Sequence, residues 1–342
     1  MVRYDASNTG SIPDTTGPKT APTETWQTDQ TLGSPARPTT LRDVLFTNAT
    51  NGIAGFTTDG ERRWAYRTNQ PDFNPTPPVV VDDRVFATRT TALFALDAKV
   101  GAERWVFTPS RQTNRLSAPA VAGDTVYVVG QHPEHPPTLW ALARGDGTVR
   151  WRVELGGETA APPIVDGGAV YCVTTNGGLY AVDIDDRTTT WTRSLSPVVG
   201  PPAVGASGVF VPLDDEVVAY GTDGSSRWRT PGVTGPRSAH DGLVASNGTV
   251  YGVRPDEQGL VALSTETGDE QWRVQQSTDT RSPIVVDETV YAQDTAGSIR
   301  ALSTADGVEQ WSTRGLPREA TGITVTGGGL IVGGDGLLAR YD

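Results

Sequence analysis

Four arginines recur at one kind of place in this chain: Arg115 (RLSAPAV), Arg237 (RSAHDG), Arg281 (RSPIV) and Arg318 (REATGI) each stand just ahead of a short apolar strand. A guanidinium offers a fork of donors matched to carboxylate or phosphate oxygens, so four of them brought together make an anion site. Equivalent places elsewhere hold Asn74, Glu158 and Val199, while Glu158, Asp279 and Glu319 are carboxylates available to neutralise the arginines. Structural pairing is the simpler outcome, and an anionic ligand or partner is the functional one.

Other reactive residue types point to less. The stretch Gln131-His132-Pro133-Glu134-His135-Pro136-Pro137 has two imidazoles and a carboxylate at a spacing that suits a metal. Its three prolines read instead as an exposed extended loop, and no fourth ligand is identifiable. Cys172 is the only cysteine, which excludes an intrachain disulfide and a cysteine metal cluster. The carboxylates Asp97, Asp183, Asp223 and Asp306 stand where side chains cap tight turns, a structural duty.

The elements that must position these groups are set by a repeat. Ala262 to Trp272 (ALSTETGDEQW) recurs as Ala301 to Trp311 (ALSTADGVEQW) and Ala95 to Trp105 (ALDAKVGAERW), with looser copies ending at Trp64, Trp151, Trp191 and Trp228. Trp26, in TETWQTD, has the strand without the segment before it. Successive tryptophans from Trp26 onward are 38, 41, 46, 40, 37, 44 and 39 residues apart. A strand-patterned period near 40 marks a repeat architecture. In the copy ending at Trp311 the strands read as 282–287, 289–294, 298–303 and 308–313, separated by Gly- and Asp-rich turns. Residues 320–342 supply three strands and stop where a tryptophan strand is due, and segment 23–29 is that strand. The expectation is an all-β, eight-bladed β-propeller of four-stranded antiparallel blades over residues 23–342. Its last blade is closed by the N-terminal strand, and residues 1–22 form an extended arm. Closure removes free sheet edges. Trp26, Trp64, Trp105, Trp151, Trp191, Trp228, Trp272 and Trp311 then become wedges between blades, and Trp140, which breaks the period, is expected in the core. First strands line a propeller's central channel, so the four arginines should meet at one channel mouth.

The pattern Ala-x5-Gly-x3-Trp resembles the tryptophan-docking motif of the quinoprotein-like propeller superfamily, which includes pyrroloquinoline-quinone dehydrogenases and BamB-like assembly scaffolds. The resemblance covers residues 24–342, and the arm VRYDASNTGSIPDTTGP resembles the start of haloarchaeal proteins of this group. No Trp is followed by Asp, which disfavours WD repeats. The dehydrogenases of the superfamily hold their quinone with adjacent cysteines, calcium and a catalytic Asp. With Cys172 alone the cysteine pair cannot form, so no cofactor is expected and pyrroloquinoline quinone is disfavoured.

The chain is acidic, with a formal charge of −12, and of its 28 basic residues only Lys19 and Lys99 are lysines. An acidic, lysine-poor surface resembles that of halophile proteins, in which dense carboxylates maintain hydration in high salt. The charge also argues against nucleic acid as the main partner, and no apolar run is long enough to span a membrane. The N-terminus lacks the apolar core of an export signal, consistent with a cytosolic chain or one whose signal is absent. The favoured expectation is a non-enzymatic, BamB-like scaffold of a halophile, exported or at the cell surface, binding a protein or peptide. A quinone-dependent dehydrogenase-like enzyme and a ligand-sensing domain with an anion site are the alternatives.

Overall fold

A computed structural model of the protein describes residues 15–29, 31, 38–41, 44–49, 51–68, 77–109, 115–132, 134–157, 161–174, 176–235, 242–255, 259–275, 281, 283–314, 316, 320–334 and 336–342. The fold is an eight-bladed β-propeller of antiparallel sheets; in seven the strands lie in space in their order in sequence, one of them with an extra two-residue strand, and in the eighth the chain's first strand takes the outer place. Blades 1 to 7 occupy 39–67, 79–107, 115–154, 164–194, 203–231, 244–275 and 284–313. Blade 8 takes its first three strands from 320–341 and its fourth from Glu24–Thr28. That is the expected three-plus-one closure, with Trp26 opposite Arg340. The observed strands of blade 7, at 284–286, 289–293, 299–303 and 309–313, lie within two residues of those expected. Among the described residues no helix is long and apolar enough to cross a membrane.

The described residues divide into two compact units, one within 110–283 with blades 3 to 6, the other within 15–109 and 284–342 with blades 7, 8, 1 and 2. Within each, hydrophobic cores lie between consecutive sheets. In the first unit Tyr171, Val173 and Leu179 of blade 4 pack with Val204, Val209 and Val211 of blade 5. In the second, Phe46, Ile53 and Trp64 of blade 1 pack with Val80, Val85 and Ala87 of blade 2. A blade buries little by itself; each sheet face needs its neighbour.

The Trp motif is the joint between blades. Its Ala is the Cα partner of its Trp, as Ala262 is of Trp272, and a bulge follows immediately. The ring packs on an aromatic of the second strand; Phe210 and Trp228, for example, lie 5.6 Å apart. It then reaches the next blade. Trp228 Nε1 donates to Thr265 O at 3.0 Å and Trp64 Nε1 to Ala98 O at 3.0 Å. The motif glycine lies under the incoming ring. A Cβ on Gly268 would fall 2.6 Å from the Trp228 ring, and its φ of +76° is one that L side chains rarely adopt.

Burial follows the fit of this joint. Trp64 and Trp228, which meet turns with the full Ala-x5-Gly spacing, are buried. Trp26 and Trp191 donate to Thr58 O and Thr222 O, both at 2.9 Å, on turns one residue shorter, and are half-buried. Trp151 packs against the blade 4 cluster, whose motif holds Arg187 at φ 59° in place of glycine, and is also half-buried. Trp140 corrects the core expectation. It is half-buried, as is Tyr180 at the matching place, because its cross-strand neighbour is the exposed Arg152. Phe94, at the same place in blade 2, is buried because Tyr66 of blade 1 covers it at 5.7 Å.

Blade 8 has no turn between its third and fourth strands, and the arm supplies what is missing. Pro18 O accepts from Trp311 Nε1 at 2.9 Å and from the Tyr291 hydroxyl at 3.4 Å. Thr16 O accepts from Gly328 N at 2.9 Å. At position 17 a Cβ would collide with the Tyr291 hydroxyl, so the arm lies flat only with glycine there.

Trp228→Ala is expected to cost about 3–5 kcal/mol, the range for truncating a buried aromatic. Trp191→Ala should cost clearly less, since its ring is already half-exposed. Urea denaturation of both variants checks the ranking, and equal losses would separate burial from the joint's contribution.

Candidate functional site

Of the four arginines singled out by sequence, two are described. Arg115 belongs to a two-residue strand, Arg115–Leu116, opposite Gln131 and Gly130 of the second strand of blade 3. It therefore lies on the same side of that strand as Ala120–Ala122, and it is exposed. Arg281 stands three residues ahead of the first strand of blade 7, half-buried, with its Nε buried. Arg237 and Arg318 lie outside the described residues, as do Asn74, Glu158, Asp279 and Glu319.

The remaining candidates are structural in the described geometry. Asp97 Oδ1 accepts from Lys99 N at 2.9 Å and Val100 N at 3.0 Å, closing the motif turn of blade 2. Asp183, Asp223 and Asp306 accept from backbone N–H groups two or three residues onward in the same way. These donors hold charge in place: Arg104 and the turn amides keep the Asp97 carboxyl below its ordinary range, and Ser225 does so for Asp223. Cys172 is fully enclosed, and burial pushes its thiol up to about 12, removing it as a nucleophile near neutrality. In the proline loop His132 and His135 face each other at 4.5 Å, and His132 Nδ1 accepts from Glu134 N at 3.0 Å. Among the described residues no three His, Cys, Asp or Glu side chains gather as a metal would require.

One set of charged residues escaped the sequence reading: arginines on the fourth strands and on the strands beside them. Arg150 grips Asp124 with both guanidinium nitrogens, at 2.7 and 2.8 Å. Arg229 forks onto Glu216, with Nε at 2.9 Å and Nη2 on the second oxygen. Arg193 lies 5.6 Å over the Trp191 ring and 6.0 Å over Tyr220. The visible signal is an arginine within two residues of the motif tryptophan, as in Arg150-Trp151, Trp191-Thr192-Arg193 and Trp228-Arg229.

Three overlapping stretches, 49–143, 95–209 and 191–340, match the family model described as outer membrane protein assembly factor BamB. The chain belongs to the BamB family. BamB of Salmonella typhimurium is 30% identical over 293 residues, covering 75% of this chain and 70% of the relative. The solved BamB of Moraxella catarrhalis shares the fold at a TM-score of 0.71 and 19% identity, covering 94% of this chain and 97% of that one. The serine/threonine-protein kinase AfsK of Streptomyces griseus is 29% identical over 265 residues, 64% of this chain, and the matched span is 32% of the kinase's length. The BamB-family match spans the residues of the tryptophan joints from blade 1 into blade 8.

Tyrosines in these joints predict the alkaline limit of the fold. Burial raises Tyr251 and Tyr291 to about 12, burial and then Glu103 raise Tyr66 to about 12, and burial and then Glu24 do the same for Tyr341. The unfolded chain ionises its tyrosines near 10, so the favourable protonated state is fully present below about pH 10. Stability should fall between about pH 10 and 12, together with a late rise in phenolate absorbance. A melting temperature unchanged across that window would contradict the burial of these hydroxyls.

Proposed function

We propose that this chain is a non-catalytic scaffold that binds a protein or peptide partner, in an extracytoplasmic or cell-surface setting, in a halophile. The observation that carries the reading is the family match over residues 49–340 to proteins named as assembly factors. Sheets stapled into rigid blades present their loops and fourth strands at fixed spacing, which suits a docking platform. Cysteine usage supports the absence of a quinone, because Cys172 has no neighbour with which to form the adjacent pair. Site-specific photo-crosslinking from fourth-strand positions, in cells of the source organism, should yield one defined protein product from a limited set of blades. Alcohol oxidation with added pyrroloquinoline quinone and calcium, and no such product, would overturn the reading in favour of an enzyme.

A second reading is a ligand-sensing domain with an anion site at the channel mouth, made by Arg115, Arg237, Arg281 and Arg318. Its signature would be saturable citrate or sulfate binding that Arg281→Ala abolishes while the fold persists.

The halophile assignment rests on the −12 charge and on the two lysines among 28 basic residues. Crowded carboxylates repel across a Debye length of about 10 Å at 0.1 M salt and about 3 Å at 1 M. The urea midpoint is therefore expected to rise steeply as potassium chloride is increased through that range. A midpoint independent of salt would remove the assignment.

A further inference from the structure

Blade 6 carries a groove of about 450 Å³ lined by Arg254, Gly259, Leu260, Arg273, Val274 and Gln275. Two of the six are cations and none is an anion, in a chain whose carboxylates outnumber its basic residues 40 to 28. Gly259 leaves the floor without a side chain, and Arg254, Gly259 and Gln275 stand side by side across three strands. The fourth strand, Glu270–Gln275, is terminal in its sheet, and no described strand pairs with its outer edge.

The cations here are held differently from those of the neighbouring blade. In blade 5 Glu216 closes both oxygens onto Arg229. In blade 6 a single carboxylate serves two guanidiniums: Glu270 Oε2 accepts from Arg254 Nη2 at 2.9 Å, while Oε1 lies 3.5 Å from Arg273 Nε. Arg254 Nη1 reaches Gly232 O at 3.4 Å, a long contact, and its buried Nε has no acceptor among the described residues. Arg254 thus meets its carboxylate through one nitrogen where Arg229 uses two, and the single contact is the weaker geometry.

We propose that this groove binds an acidic side chain of an extended peptide lying along the strand Glu270–Gln275. The incoming carboxylate accepts from Arg254, and Glu270 shifts wholly onto Arg273, so each guanidinium keeps a carboxylate partner. Addition along an open strand edge supplies backbone hydrogen bonds, and the arginine supplies the preference for acid. The site deepens the scaffold reading by naming a partner chemistry, and it rests on that reading for its biological meaning. Binding itself is measured independently of it.

The probe is a fluorescein-labelled peptide of alternating glutamate and valine, titrated into the full chain at a fixed, high salt concentration that keeps the protein folded. Saturable one-to-one binding is expected, with a lysine-for-glutamate peptide failing to bind. Arg254→Ala should weaken binding at least tenfold. Glu270→Gln, which removes the competing carboxylate, should strengthen it severalfold, an outcome that a purely structural ion pair would not produce. Arg229→Ala, on the neighbouring blade, should leave binding unchanged, and circular dichroism confirms that each variant is folded. Equal affinity for Arg254→Ala and the parent, or weaker binding by Glu270→Gln, overturns the site. Competition by free citrate as strong as by the peptide would overturn the peptide as its occupant. Crosslinking to a partner that persists in Arg254→Ala would leave the scaffold standing and sink this groove alone.

Discussion

One contact recurs through this fold, and the rest depends on it: an indole N–H of one blade donating to a turn carbonyl of the next. Trp26, Trp64, Trp191 and Trp228 make it with carbonyls of the following blade, all at 2.9 to 3.0 Å. The hydrogen bond orients, while the area under the ring provides most of the stabilisation. Each motif residue has a place in that joint. Small residues admit the ring, the turn caps hold the accepting carbonyl, and glycine allows the stack. Among the described residues one interaction is thus written at these four joints and, through Pro18, at a fifth.

The departures from the pattern are as informative as the copies. Where the turn is one residue shorter, in blades 1 and 5, the incoming Trp26 and Trp191 stay half-exposed. Where glycine is replaced by Arg187, the backbone still adopts the left-handed conformation, at φ 59°, against the preference of a residue with a Cβ. Turn geometry is thus imposed by the joint rather than chosen by the local residue. At blade 8 no turn exists, and Pro18 of the arm presents the carbonyl instead. The segment before the first strand completes the last joint.

Much of this was legible in the residues. Tryptophan spacing and period-two patterning gave the blade number, and the incomplete segment 320–342 beside TETWQTD revealed how the last blade closes. Tight-turn chemistry identified Asp97, Asp183, Asp223 and Asp306 as turn caps. What escaped was long-range. Nothing in Gly17-Pro18 announces a partner for Trp311 nearly 300 residues away, because a backbone carbonyl leaves no side-chain signature. Trp140 looked like core because its place in the repeat was right, but burial depends on what a neighbouring blade lays over it, as Tyr66 does for Phe94. The candidate site was less legible than the fold. Ion pairing is decided by which carboxylate reaches which guanidinium, and the split of Glu270 between Arg254 and Arg273 is invisible in one dimension. Family membership speaks for the blades, whereas any binding surface is written in side-chain geometry.

The account stands on the claim that the arm acts through Trp311. A double-mutant cycle isolates it: urea stability of the full chain, of Trp311→Phe, of the chain lacking residues 1–22, and of the two changes combined. Phe keeps a ring and loses the indole donor. The account predicts that Trp311→Phe costs about 1 kcal/mol or more in the full chain beyond its cost once the arm is gone, the scale of one buried hydrogen bond. Equal costs in both backgrounds would show that the arm and Trp311 act independently, and would contradict it.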